Sequence, residues 1–226
     1  KKGYAVQPIC FGISFTNTMM NHARALVHIY QDGSVVISTG AVEMGQGVNT
    51  KLLQIASEIF GISTDRVRIE STNTLRIANT SPTAASAGAD LNGKALEMAC
   101  NTLLQRLISV VENNYKVEDI KFCNDQIATS DASFVISWND LVIKAFQQRV
   151  SLSEHAHYAT PVIHYDKAKE KGHPFAYHVY GTAILEVTVD CLKGTYQFDS
   201  VKIVHDFGKS MNTDVDNGQV EGGLVQ

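Results

Sequence analysis

The spacing of apolar residues along the chain predicts most of its elements. ICFGISFT (residues 9 to 16) alternates loosely, as a strand does. ALVHIY and SVVIST, on either side of Gln31-Asp32-Gly33, predict a β-hairpin, because turn residues separate two β-rich runs. After Gly45-Gln46-Gly47 the period changes. Val48, Leu52, Ile55, Ile59 and Phe60 recur at helical spacing, and Gly61 ends the run. RVRIE (66 to 70) predicts a short strand. From about Ala89, the positions Leu91, Ala95, Met98, Ala99, Leu103 and Leu107 predict a second helix, beginning somewhere between Pro82 and Ala89.

Residues 117 to 136 predict two strands around Cys123-Asn124-Asp125, and Ser137 with Asp140 predicts a capped helix through Leu141 and Phe146. The polar stretch 151 to 175, with Pro161, Gly172 and Pro174, predicts a long surface loop. TAILEVTVD and TYQFDSVKIVH, joined by Cys191 to Gly194, predict a second hairpin. Residues 205 to 226 predict a loop feeding a helix. Strands and helices mix without a regular βαβ alternation, so the fold class is α+β, with mixed or antiparallel sheets and packed helices. Neither an internal repeat nor a linker between independent domains is evident, and residues 1 to 226 read as one partial domain.

Composition narrows the function by exclusion. The chain has 226 residues, 44% hydrophobic and 19% charged, which permits a substantial core. A formal charge of −4 with scattered Lys and Arg argues against a nucleic-acid surface. No apolar run is long enough to span a bilayer as a helix. The four cysteines, Cys10, Cys100, Cys123 and Cys191, are far apart and read as reduced thiols of a cytoplasmic protein. His155 and His157 share one face if they lie on a strand, but no third metal ligand is suggested nearby. The start at Lys1 and the unfinished pattern at Gln226 predict a piece of something larger, cut at both ends.

Generic motifs decide little. One Gly-x-Gly without a third glycine or a following acidic partner is not a dinucleotide fingerprint, and no Walker, nucleophile-elbow or zinc-protease motif occurs. Three segments stand out because they combine small residues with carboxamides near helix starts. They are Met44 to Gly47, Asn79 to Ser86, and Asp216 to Gly222. Glycine flanking an amide lets a ligand reach backbone N–H groups, which hold a polar heterocycle or phosphate by neutral hydrogen bonds. The first helix raises the same point locally: Asn49 or Thr50 could cap it, or its N-terminus could face a ligand.

VEMGQGVNTKLLQ, NTSPTAASAGADLNGKA, EVTVDCLKG and DNGQVEGGLVQ together resemble the molybdenum-cofactor domain of the xanthine dehydrogenase and aldehyde oxidase family. The resemblance runs from about Phe11 to Gln226, with a poorer middle between Leu107 and Val150. It implies oxidation of a heterocyclic or aldehyde carbon, with water as oxygen source, at a molybdopterin centre. Two [2Fe–2S] clusters and FAD belong to the complete enzyme and not to this chain.

By the same resemblance, Met44, Gly45 and Gln46 contact the pterin, and the first helix N-terminus faces its phosphate end. Ala85 lies with its backbone beside the molybdenum ligands. Ser86, Ala87 and Gly88 form the adjacent pterin-contacting turn, and Gln219 supplies a second amide. Phe15 and Thr16 match the pair that stacks on and orients a purine, which implies conversion of hypoxanthine to xanthine and urate. Neither Glu43 nor Glu221 is assigned as the base, because the family base belongs to a Gly-Glu-Pro segment not found in these residues.

The implied partners are a purine, the remaining segments with their iron–sulfur and flavin domains, and a second copy in a homodimer. A related aldehyde or nicotinate-type hydroxylase, or a non-catalytic assembly domain, is the alternative reading.

Overall fold

A computed structural model describes all 226 residues, Lys1 to Gln226. The chain divides into two compact units. One is continuous, Asn17–Pro161; the other combines Lys1–Thr16 with Val162–Gln226. No helix is long and apolar enough to cross a membrane.

The continuous unit is built on a four-stranded sheet. Its strands are β2 (His22–Ile29), β3 (Val35–Thr39), β4 (Val67–Ile69) and β8 (Ser153–Ala159), in the order β4-β3-β2-β8. β2 pairs antiparallel with both β3 and β8, and β4 runs parallel to β3. The expected hairpin at Gln31 to Gly33 is present. Gly33 takes φ +81° there, a region a Cβ disfavours.

The alternation that predicts these strands also selects their faces. Ala23, Ala25, Val27 and Ile29 of β2 and Val35 and Ile37 of β3 are all buried. Against this sheet packs α2 (Gly88–Tyr115), with α1 (Val48–Phe60) beside it and α3 (Trp138–Gln147) further along. Leu91, Leu96, Leu103 and Leu107 of α2 and Leu52 and Phe60 of α1 fill the contact. Beyond them, β5 (Ile120–Cys123), β6 (Gln126–Thr129) and β7 (Val135–Ser137) form a small antiparallel sheet.

Ends follow from local chemistry. Gly61 closes α1 in a left-handed conformation, φ +62°, with its N–H donating to Glu58 and that of Ile62 donating to Ser57. A Cβ on Gly61 would meet the Cys123 nitrogen at 2.6 Å, so glycine is required there on two counts. Ser137 caps α3 as expected, its hydroxyl oxygen accepting from the Asp140 N–H at 3.1 Å.

The second unit holds a long antiparallel sheet, β1 (Lys2–Ile13), β11 (Tyr177–Asp190) and β12 (Thr195–Asp206), in the order β1-β11-β12. It also holds the short pair β9 (His164–Asp166) and β10 (Lys171–His173), and α4 (Thr213–Val225). Asn212 caps α4, its side-chain oxygen accepting from the Val215 N–H at 3.1 Å.

Two expectations are corrected. The strand expected over residues 9 to 16 spans Lys2–Ile13, because β11 supplies a partner in register from Lys2 to Ile13. The loop expected over residues 151 to 175 contains β8, β9 and β10. β8 is polar because only one side of it meets the helices. Glu154 turns inward to an ion pair with Arg106 of α2, whose guanidinium also donates to the carbonyls of Ser151 and Ser153. His155 and His157 are exposed on the other side of β8, the shared face expected of a strand, and His157 stands 5.3 Å from the ring of His22. No group of three His, Cys, Asp or Glu side chains is arranged to hold a metal ion.

Candidate cofactor-binding site

Two of the three small, amide-rich segments meet in the continuous unit. The end of β3 leads into Gly40 and Ala41, which are buried, and then into the exposed loop 42 to 45 before α1. The segment containing Ser81 to Ser86 docks on this stretch. The Thr80 side chain covers Gly40 so closely that a Cβ there would lie 2.6 Å from Thr80 Cβ and 2.7 Å from Cγ2. Thr83 Oγ1 accepts from the Val42 N–H at 3.0 Å. Thr72 adds a third tie, its hydroxyl donating to the Ala41 carbonyl at 2.7 Å. Met44-Gly45-Gln46 and Ala85-Ser86 therefore belong to one docked pair of loops.

The first loop answers the capping question in a way the sequence did not suggest. The N-cap of α1 is Gly47, left-handed at φ +74°, and no side chain at the cap itself satisfies the helix. Glu43 does so from outside. Its Oε1 accepts from the N–H groups of Gly45 at 2.9 Å and Gly47 at 3.0 Å, and its Oε2 from Asn49 at 2.9 Å. A carboxylate thus fills the ring of donors that the sequence reading offered to a phosphate. Partial desolvation pushes the Glu43 carboxyl up, but the backbone N–H groups of Asn49, Gly47, Gly45 and Met44 outweigh it and hold the group below the usual glutamate range.

Gln46 folds back within the same loop. Its carboxamide nitrogen donates to the Val42 carbonyl at 2.8 Å, and its oxygen accepts from the Met44 N–H at 2.6 Å. Around Gly45, at φ +100°, a Cβ would meet nothing within 4 Å, so the loop has open space on that side. Met44 is exposed.

The second loop is conformationally unusual. Ala85 and Ser86 are consecutive left-handed residues, at φ +55° and +54°. Such residues favour glycine and persist only where the surroundings enforce them. Ala87 is the N-cap of α2 and is buried; no side chain caps the first turn, which starts at Gly88. Two buried polar atoms lack a partner, Ser81 Oγ in the second loop and Asn92 Oδ1 in α2. The Asn92 amide nitrogen donates to the Gly88 carbonyl at 2.9 Å, which ties that side chain to the first residue of α2.

In the other unit, Phe15 is half-buried and Thr16 exposed, just beyond the end of β1. Gln219 is exposed on α4, and Gly218 and Gly222 beside it face open space. Asp216, on the same helix, is buried and accepts from the Ser210 hydroxyl at 2.6 Å.

Against known proteins, the molybdopterin cofactor-binding domain matches residues 1–226, both units included. The chain belongs to this family. Among curated relatives it is 42% identical over 226 residues to xanthine dehydrogenase/oxidase of Gallus gallus, covering all of this chain and 15% of that protein. It is 40% identical over 226 residues to aldehyde oxidase 2 of Cavia porcellus, covering all of this chain and 16% of that one. Quinoline 2-oxidoreductase from Pseudomonas putida 86 shares its fold, with a TM-score of 0.84 at 19% identity over 100% of this chain and 29% of that structure. The chain thus spans about a sixth of the length of the curated relatives.

The residues present fit a molybdopterin cofactor-binding domain. The group is polar and heterocyclic, and the docked loops offer neutral donors: the Gln46 carboxamide and the uncapped first turn of α2. The orphaned Ser81 and Asn92 oxygens add polar capacity that the chain itself does not use. Glu43 departs from the expectation, because it already takes the Gly47 and Asn49 N–H groups at the N-terminus of α1.

Composition singled out Met44 to Gly47 and Asn79 to Ser86, and the roles of Met44 to Gln46 and Ala85 to Gly88 came from the family resemblance. Sequence reasoning missed the side chains that hold them in place: Thr80 and Thr83 act on Gly40 and Val42 from a distant part of the chain, and Glu43 acts on backbone N–H groups of its own loop.

Proposed function

We propose that this chain forms part of a molybdenum hydroxylase that oxidises purines, hypoxanthine to xanthine to urate, with water as the oxygen source. The observation that carries the proposal is the 42% identity over the whole chain to a xanthine dehydrogenase/oxidase. When bound, the molybdenum centre supplies the two-electron redox chemistry and the oxygen transfer. The residues of this chain hold and orient.

Gln46 exchanges its two hydrogen bonds within the loop for bonds to the pterin. Since both sets are neutral, each worth about 1 kcal/mol net, the exchange costs little. Gln219 supplies a second carboxamide. Ala85 presents backbone and a methyl group beside the metal ligands, where a larger side chain would intrude. Ser86, Ala87 and Gly88 offer the pterin the open first turn of α2. Phe15 stacks on the purine ring, and the Thr16 hydroxyl orients the heterocycle. Neither Glu43 nor Glu221 is the base: Glu43 is committed to three backbone donors, and the proton acceptor belongs to the rest of the protein. The partners are those remaining segments, two [2Fe–2S] clusters, FAD and a second copy, in the cytoplasm.

A second reading, oxidation of aldehydes or other N-heterocycles such as nicotinate, is favoured by the 40% identity to aldehyde oxidase 2. A substrate panel on the full-length, molybdenum-loaded protein separates the two. Hypoxanthine and xanthine turn over under the first reading, and Phe15→Ala lowers their turnover. Unchanged purine rates for that variant, or oxidation of aldehydes alone, would remove the purine assignment.

A further inference from the structure

β1 ends abruptly before Phe15 and Thr16. Ser14 breaks the strand at φ +140°, a region that residues with a Cβ rarely occupy, and it is buried. A conformation of this kind persists only where neighbours over-determine it.

Here the neighbours come from one short segment. The ring of Phe175 lies against Gly12, where a Cβ would stand 2.5 and 2.8 Å from its two Cδ atoms. The next residue, Ala176, donates its N–H to the Ile13 carbonyl at 3.0 Å and to Ser14 Oγ at 3.3 Å. Pro174, just before, is buried, and His178 meets the Phe175 ring edge-on at 5.5 Å. One aromatic ring and one N–H thus grip three consecutive residues, Gly12, Ile13 and Ser14, at the point where the chain turns out of the sheet.

We propose that Phe175 is a positioning residue for substrate recognition: seated on Gly12, it fixes the Ser14 turn and so the direction in which Phe15 and Thr16 leave β1. Phe175 acts through Phe15 and Thr16. The inference rests on the assignment of those two residues to the substrate wall. Glycine at position 12 is then the complement of Phe175, since only the bare Cα leaves room for the ring.

The test uses the full-length, molybdenum-loaded enzyme, with kcat and KM for xanthine expressed per bound molybdenum. Phe175→Ala raises KM about five- to tenfold, the size of one lost aromatic contact, while molybdenum content stays at the wild-type level. Phe175→Leu restores part of the loss. The double variant Phe15→Ala/Phe175→Ala loses less than the product of the two single effects, because only Thr16 is left for the ring to position.

Where Phe175→Ala fails to accumulate, Gly12→Ala displaces the ring from the other side and raises KM in the same way. Wild-type constants per molybdenum for Phe175→Ala or Gly12→Ala, or effects that multiply in the double variant, would overturn the proposal. Wild-type constants for Phe15→Ala would instead remove the substrate-wall assignment beneath it.

Discussion

Glu43 Oε2 accepts the backbone N–H of Asn49 at 2.9 Å, across six positions of sequence. This one bond joins the loop to the first turn of α1, and the other carboxylate oxygen joins it to Gly45 and Gly47. The side chain is exposed, yet it organises the backbone from which Gln46 projects.

Removing that carboxylate frees three donors. Glu43→Ala is expected to lower the stability of the full-length protein by about 1 kcal/mol, the usual cost of a lost helix cap. Hydrogen–deuterium exchange should quicken in the peptide covering Gly45 to Leu52. Glu43→Gln should fall between, because its amide nitrogen opposes one of the N–H groups it replaces. Unaltered exchange in both variants would show that the loop holds its shape without the carboxylate.

The same bonds set a pH dependence. The folded-state pKa of Glu43 is depressed, so its contribution is complete above the unfolded glutamate pKa and is lost as pH falls through the lower folded value. The difference in melting temperature between wild type and Glu43→Gln should therefore be present at neutral pH and vanish on acidification below the usual glutamate range. A difference that grows with acid would have the wrong sign.

Docking of the two loops is open to a steric test. Gly40→Ala places a methyl group against Thr80 Cβ and Cγ2. Overpacking at such a contact costs about 1–3 kcal/mol, and it should drive residues 80 to 86 away from the Gly40 to Val42 stretch. Molybdenum content per protomer, measured by elemental analysis, should fall severalfold. Gly40→Ala combined with Thr80→Ala, which removes the closest opposing atom, Oγ1, together with Cγ2, should recover part of it.

Trp138 offers a prediction about stability alone. It is fully buried, and its indole N–H donates to the Gly33 carbonyl at 2.7 Å, bracing the β2–β3 turn. Trp138→Phe leaves that buried carbonyl unpaired, at about 1–3 kcal/mol. The denaturation midpoint followed by circular dichroism should drop accordingly.

Elements whose signal is local were legible in the sequence. Leu52 and Phe60 mark α1, Ser137 marks the start of α3, and Gln31 to Gly33 mark the hairpin. β8 was not legible, because Glu154 is stabilised inside by Arg106, 48 positions away, and nothing in SEHAHYA announces that partner. The site divides in the same way. Glycines and carboxamides mark Met44 to Gly47, small polar residues mark Asn79 to Ser86, and only the family resemblance extends the second stretch to Gly88. Their docking depends on Thr83 reaching Val42 over 41 positions, and on a glutamate that the sequence offers equally to solvent. Phe175 gave no signal, since its partner is the empty face of Gly12.

The sheet β1-β11-β12 carries a consequence for the order of assembly. The Lys1 carbonyl accepts from the Val189 N–H, 188 positions along the chain. During synthesis at about 5–20 residues per second, the first strand emerges tens of seconds at most before the strand that pairs with it. Throughout that interval Tyr4, Val6 and Phe11 have no neighbour from β11. The segment from Asn17 to Pro161 is finished before β11 and has its own core, so it can consolidate while β1 waits. A ribosome stalled before residue 177 would thus hold the unit Asn17–Pro161 beside a strand whose partner is still missing, a state in which a chaperone has an obvious place to bind.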